Sequence, residues 1–246
     1  MDAANLPPDI SAISNLSQES AYVKQVGKDI PELRAMVLRE TACAAGARAG
    51  LIAQANVIRK EIDTRHVAQL DSFAFGALML SDGLYPPVIS KVTNSVAQDG
   101  PDMIRMSNIR YRVERTERFS LAPITWHEYV YQGLPAPDAK VPTPHFTLLP
   151  TTPAEKAYWK KSAEDCYVKG IAQADQIVQV NLSRLHRDFM GMGEYKTLAL
   201  QNKVVPPKVD YTFRPVVGGG NEMIENDHAY RISSPGLLNS NRSDWK

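Results

Sequence analysis

The strongest constraint on the fold is an internal repeat. The stretches "ALMLSDGLYPPV" and "TLALQNKVVPPKV" place Leu78 on Leu198, Leu80 on Leu200 and Pro86-Pro87 on Pro206-Pro207 at an offset of 120 residues. Met103-Ile104 falls on Met223-Ile224 at the same offset. After one lost residue, Tyr111-Arg112-Val113 matches Tyr230-Arg231-Ile232, and Trp126 matches Trp245, at 119. Upstream, Ala53-Gln54-Ala55-Asn56 matches Ala172-Gln173-Ala174-Asp175, again at 119. Solenoids and propellers repeat every roughly 20–50 residues, so a single long repetition predicts one pseudo-symmetric body instead. The chain then divides into a flexible N-terminal arm over 1–28 and a single pseudo-symmetric domain over 29–246. That domain holds repeat one (30–132), a connector (133–150) and repeat two (152–246).

Each repeat opens with a helix. "DIPEL" offers Asp29 as N-cap, Pro31 in the first turn and Glu32 three residues after the cap. Leu33, Val37, Ala44, Ala47, Leu51, Ala55, Ile58 and Ile62 keep the three-to-four spacing of an amphipathic helix. Its middle, "TACAAGARAG", is almost all small, which lets another backbone approach and predicts a central position. A second helix is expected over "VAQLDSFAFGALML" after the polar "DTRH", with Gly83 as its C-terminal cap. In repeat two, Thr152 is the expected N-cap, with Pro153 at the first helical position and Glu155 three after the cap. The stripe from Trp159 to Phe189 is helical, with Gly191 and Gly193 expected to break or bend it.

Each proline pair then turns the chain into an extended segment, read as a short β-hairpin. The turns are expected at Ser107-Asn108 and Asn226-Asp227, because Asn and Asp tolerate left-handed backbone. Helix starts follow at "ITWHEYV", with a Thr125/Glu128 capping box, and at "SDWK". The connector "GLPAPDAKVPTPHFTLLP" holds five prolines and reads as extended. The predicted fold class is α+β, predominantly helical: an internally duplicated unit of long helices plus a short β-hairpin.

The chemistry-bearing residues are sparse. A hydrophobic fraction of 43%, a charged fraction of 22% and a net charge of +1 describe an ordinary globular chain with no bias toward acidic partners. No run of about 18 apolar residues is present. Cys43 and Cys166 fall on apolar helical faces: the commoner reading is two buried thiols, and a disulfide is the alternative. Neither has metal-ligand spacing to a second Cys or a His. His66, His127, His145, His186 and His228 are scattered, without motif context. Glu40, in "LRETACAAG", is the one candidate acid catalyst, against the plainer reading of a carboxylate paired with Arg39 or Arg48 or facing water. "GGG" at 218–220 lacks the helix start that a phosphate cradle needs and reads as a loop before the hairpin. "RMSNIRYRVERTERF" gathers five arginines around Tyr111, but Glu114 and Glu117 interrupt it, so a solvated strand face is favoured over a nucleic-acid surface. No catalytic residue, metal or cofactor is assigned.

Taken in order, "LRETACAAGARAGL", "LYPPVI", "RYRV", "PITWHEYV", "TLLPTTPAEKAYW", "GIAQAD" and "VVPPKV" resemble the DotC family of type IVB (Dot/Icm) secretion systems, with TraI of related conjugative plasmids. The likeness runs from about residue 33 to the end. It implies a non-enzymatic component of the outer-membrane core complex at the periplasmic face of the outer membrane, partnered by a DotD-like lipoprotein and a DotH-like secretin-related protein. It also implies a lipid anchor on an N-terminal cysteine. Met1-Asp2 opens this sequence with no export signal and no such cysteine, and the second Trp helix stands at its very end.

Three function classes are compared. A scaffold that binds other proteins predicts exposed apolar, aromatic or proline-rich patches, with Tyr85, Pro86, Pro87, Trp126, Tyr129, Tyr131, Pro206, Pro207 and Trp245 as candidates. Core packing within the chain is the alternative role for the same residues. A periplasmic cell-wall hydrolase would use Glu40. A nucleic-acid binder would use Arg105 to Arg118, which the near-neutral charge disfavours, so nucleic acid is not an expected partner.

Overall fold

A computed structural model describes residues 31–81, 83–98 and 100–246; the arm read over 1–28 and the Asp29 cap lie outside these. Helix α1 (Glu32–Glu61) begins directly after an extended Pro31. It does not end at the polar "DTRH". One π-helical turn (Ile62–His66) carries it into α2 (Val67–Asp71). The helix expected over "VAQLDSFAFGALML" therefore stops at Asp71, and a 3-10 turn (Phe75–Leu78) follows. The rings of Phe73 and Phe75 both pack edge-on against Phe189, at 5.2 and 5.4 Å. On a continued helix these two side chains would point about 200° apart and could not share one partner. Gly83 caps no helix; its left-handed backbone (φ +76) leads into strand β1 (Leu84–Tyr85).

Strands β2 (Val88–Gln98) and β3 (Ile104–Arg115) form a long antiparallel ribbon, and β4 (Arg118–Phe119) pairs with β1 at its base. After the short α3 (Trp126–Val130) and a 3-10 turn (Phe146–Leu148) in the connector comes α4 (Pro153–Leu200). Repeat two then rebuilds the ribbon from β5 (Val204–Val205), β6 (Lys208–Gly219), β7 (Glu222–Ser234) and β8 (Leu237–Leu238). The α+β class and the twice-made hairpin are as the repeat predicts. Even the register shift recurs: it falls between Val88 and Ile89 in one ribbon and Lys208 and Val209 in the other. Each proline pair sits just ahead of it, where the absent N–H interrupts the ladder.

Several local expectations fail for identifiable reasons. Gly191 and Gly193 do not break α4; an added Cβ on Gly191 would lie 2.5 Å from Val88 Cγ1, so the glycine serves close packing. Ser107-Asn108 and Asn226-Asp227 are not turns but lie inside β3 and β7. Asn226 does adopt left-handed backbone (φ 56), as does Asn94 (φ 52), but pairing resumes on both sides of each, so the residue kinks the ribbon without reversing it. The second reversal falls instead at the glycine run, where Gly218 (φ +122) and Gly220 (φ +69) take conformations that L side chains avoid. "GGG" is thus the hairpin tip. "SDWK" forms only a 3-10 turn (Arg242–Asp244).

Two compact units emerge, and each draws on both repeats. One joins the described residues up to Asp71 with Tyr129–Leu182; the other joins Ser72–Glu128 with Ser183–Lys246. In the first, helical unit, α1 and α4 run parallel. Arg34 bonds Glu155, Cys43 is disulfide-bonded to Cys166 and Gln54 bonds Asp175, at separations of 121, 123 and 121 residues. These contacts fall within four residues of the repeat offset of 119, so corresponding stretches of the two repeats face each other. The helices come together because the seam is small: a Cβ on Gly46, Gly50 or Gly170 would stand 2.2, 2.1 or 2.0 Å from a carbonyl oxygen of the opposite helix. Leu38, Ala42, Ala45, Ala49, Trp159, Ala163 and Tyr167 fill the core beside that seam.

The start of α4 is held as the capping pattern predicts, with one change. Glu155 N–H donates to Thr152 Oγ1, but the Glu155 carboxylate accepts from Thr151, not from the cap residue. It also accepts from Arg34 Nε at 3.0 Å. Burial alone would raise this carboxyl, but the hydrogen bonds from Arg34 and Thr151 outweigh it and hold the group down at about 2. Ahead of α3, the Glu128 carboxylate accepts from Thr125 N–H at 3.2 Å, the glutamate arm of the expected Thr125/Glu128 box.

The second, ribbon unit also brings repeat-related residues together. Gly236 N–H donates to Glu117 Oε1, and Lys196 Nζ donates to the Ala77 carbonyl, both at a separation of 119. Glu117, read above as interrupting a solvated face, is buried.

Candidate interaction surface

The β6–β7 ribbon alternates strictly up to its Asn226 kink. Val209, Tyr211 and Phe213 stand opposite Ile232, Tyr230 and His228, while Asp210, Thr212 and Arg214 stand opposite Arg231, Ala229 and Asp227. Since successive strand residues point to opposite faces, one face is apolar and aromatic and the other charged. The rings touch: Tyr211–Tyr230 centroids lie 5.2 Å apart, Phe213–His228 4.9 Å, and the Tyr211 hydroxyl is 2.7 Å from His228 Nδ1. Yet Tyr211, Phe213 and Tyr230 keep 53%, 48% and 47% of their surface in water. At the ribbon base the face runs into an open apolar groove of about 560 Å³, which Leu80, Leu84, Leu200, Pro206, Pro207 and Val209 line. A contiguous exposed patch of this kind on a folded chain marks a place where something else packs.

A comparison with protein families matches residues 32–246 to the family described as type IV secretory system, conjugal DNA–protein transfer (the TraI family). The chain belongs to this family. A comparison with curated proteins finds no match. Membership makes the chain a component of a type IV secretion or conjugal-transfer system, which works alongside other subunits, and places it outside the known enzyme families.

In this TraI-family chain the residues singled out as interface candidates separate into two groups. Tyr85, Pro86, Pro87, Trp126 and Tyr129 are buried. The Tyr85 hydroxyl accepts from Ile124 N–H at 3.1 Å, and Trp126 stacks on His127 at 3.5 Å. Tyr131 is half-buried; burial and the hydrogen bond it donates to Asp63 push its hydroxyl up to about 12. Pro206 is exposed, Pro207 half-buried and Trp245 39% exposed, with Lys203 Nζ 5.1 Å from the Trp245 ring. The accessible candidates are thus Tyr131 in part and the repeat-two members Pro206, Pro207 and Trp245. A turn at Asn226-Asp227 would split the aromatic ribbon face, whereas β7 runs through these residues and keeps it whole. Its period-two pattern, Val209-x-Tyr211-x-Phe213 and His228-x-Tyr230-x-Ile232, is present in the sequence.

Glu40 is exposed on α1, so it lacks the buried setting that the hydrolase reading needs. Of the arginines of β3, Arg115 is committed to the fully buried Asp188 at 2.8 Å, and Arg112 lies 4.0 Å from Glu114, while Arg105 and Arg110 are exposed. Of the two readings left open for the cysteines, the disulfide is the one realised, with Cα atoms 5.0 Å apart. Such a bond persists in oxidising surroundings, which points to an extracytoplasmic location. No described helix is long and apolar enough to cross a membrane.

Proposed function

We propose that the chain is a structural and assembly component of the outer-membrane core complex of a type IVB secretion or conjugation system. In this reading it sits at the periplasmic face of the outer membrane. It binds a DotD-like lipoprotein and a DotH-like secretin-related subunit and catalyses nothing. The family match over 32–246 carries the reading, and the exposed aromatic ribbon face and the disulfide support it.

The test is affinity purification of the tagged full chain from detergent-solubilised membranes of secretion-competent cells, followed by identification of the co-purifying proteins. The expected result is recovery of a small lipoprotein and a secretin-related protein in fixed ratio to the chain. Recovery of the chain with no other secretion subunit overturns the proposal.

A further inference from the structure

The two ribbons are copies, but among the described residues only one is covered by a helix. On ribbon one, the face equivalent to Val209-Tyr211-Phe213 is Ile89-Lys91-Thr93, opposite Val113, Tyr111 and Ile109. Helix α4 lies across the base of this face: Ile89 clusters with Tyr195 and Leu198, and Tyr111 and Val113 pack against that cluster, while Thr93 and Ile109 farther out stay exposed. Gly191 is the crossing point, where an added Cβ would meet Val88 Cγ1 at 2.5 Å and Ile89 N at 3.0 Å. Asp188 pairs with Arg115 and Glu194 with Lys91 at the flanks, at 2.8 and 3.6 Å. The contact face of the helix is thus Asp188, Gly191, Tyr195 and Leu198, with the three-four-three spacing of one helical stripe.

Among the described residues, ribbon two has no such helix. The residues that should supply it are 68–78 at the offset of 120, but α2 ends at Asp71. Phe75, which aligns with Tyr195, is 1% exposed and packs on Phe189 instead. Meanwhile the face itself has become more apolar: Tyr211 stands where ribbon one has Lys91, Phe213 where it has Thr93, and Ser234 where it has Arg115.

We propose that the β6–β7 face, together with the groove at Val209, is a docking site for an amphipathic helix of another subunit of the secretion system. That helix takes the place that α4 fills on ribbon one. Its chemistry follows from that internal precedent. It carries a small residue where it crosses the ribbon and aromatic or aliphatic residues four and seven positions later. It needs no acidic flank, because ribbon two has lost both basic partners. The inference rests on the chain being an assembly subunit and specifies how one neighbour binds.

The test is photo-crosslinking in the assembled system, with the full-length chain carrying p-benzoylphenylalanine at Phe213 or Tyr230, and at Thr212 on the opposite face as reference. Crosslinks from 213 and 230 should exceed those from 212 by at least tenfold. Mass spectrometry should place them on another subunit at positions spaced by three, four or seven residues. Phe213→Asp should reduce capture through position 230 by a similar factor without shifting the melting temperature. Crosslinks to a second copy of this chain, to lipid, or equally from both ribbon faces overturn the proposal. So does a non-helical spacing on the partner. Co-purification of secretion subunits with no crosslink from this face refutes the docking site alone; loss of co-purification refutes the assembly role beneath it.

Discussion

The helix of repeat two and the helix of repeat one began as the same element and now end differently. α4 runs for 48 residues without a break, whereas α1 gives 30 residues, a five-residue π turn and five residues of α2. Their shared half is where repeat-related residues touch, backbone against backbone at Gly46, Gly50 and Gly170. Their unshared half is where α4 covers a ribbon and its counterpart does not. Duplicated modules can diverge freely where the copies do not contact each other, and the seam is where they cannot.

If the seam is the invariant part, cutting it should produce the largest effect. The disulfide closes a loop of 123 residues, which in the chain-entropy model corresponds to about 5 kcal/mol. Cys43→Ser/Cys166→Ser should lower the unfolding free energy in urea by an amount of that order, and reductant should do the same to the natural chain. A loss below about 1 kcal/mol would show that packing alone keeps the helices together.

Two glycines on α4 sharpen the contrast next. An added Cβ at Gly170 would lie 2.0 Å from the Ala47 carbonyl oxygen, a backbone atom that cannot swing away, whereas Gly193 has nothing within 4 Å. Gly170→Ala should cost about 3 kcal/mol through overpacking. Gly193→Ala should stabilise by up to about 1 kcal/mol through helix propensity. Equal effects at the two positions would mean that the seam is looser than its distances indicate.

How much of this was legible in the sequence depends on whether the signal was local. The repeat, the capping residues Thr152, Pro153 and Glu155, and the small seam are written in neighbouring letters. The early end of α2 is not, because it depends on Phe73 and Phe75 finding Phe189 more than a hundred residues away. The second hairpin turn is not legible, because Asn226 has left-handed backbone without reversing the chain, while the glycine run that does reverse it reads equally well as a loop. The burial of Tyr85, Pro86 and Trp126 likewise comes from tertiary packing; their apolar character fits a core and an interface equally.

The Arg34–Glu155 pair ties the starts of the two long helices and makes that tie sensitive to acid. The Glu155 carboxyl is held at about 2 in the folded chain against an ordinary 4.5. A depressed folded value means that the stabilisation is complete above about pH 4.5 and drains away as pH falls toward 2. Glu155→Gln should therefore cost about 2 kcal/mol at neutral pH and nothing further at pH 2, as thermal melts across that range would record. Parallel pH profiles for the variant and the natural chain would remove Glu155 from the account of acid sensitivity.

The smallest effect is the one that separates the ribbons. Tyr211→Lys writes the ribbon-one residue into ribbon two. Tyr211 is 53% exposed, so within the isolated chain the exchange loses only the ring contact with Tyr230 and the hydroxyl contact with His228 and should cost at most about 1 kcal/mol. Leu198→Ala, beneath ribbon one and fully buried, should cost about 3 kcal/mol in the same urea titration. The pair of values measures the asymmetry directly, because the two ribbon faces share one ancestry and differ in whether a helix covers them. Were Tyr211→Lys to cost more than about 1.5 kcal/mol, the aromatic face would already be spoken for inside this chain, and no partner helix could be seated on it without first displacing its own cover.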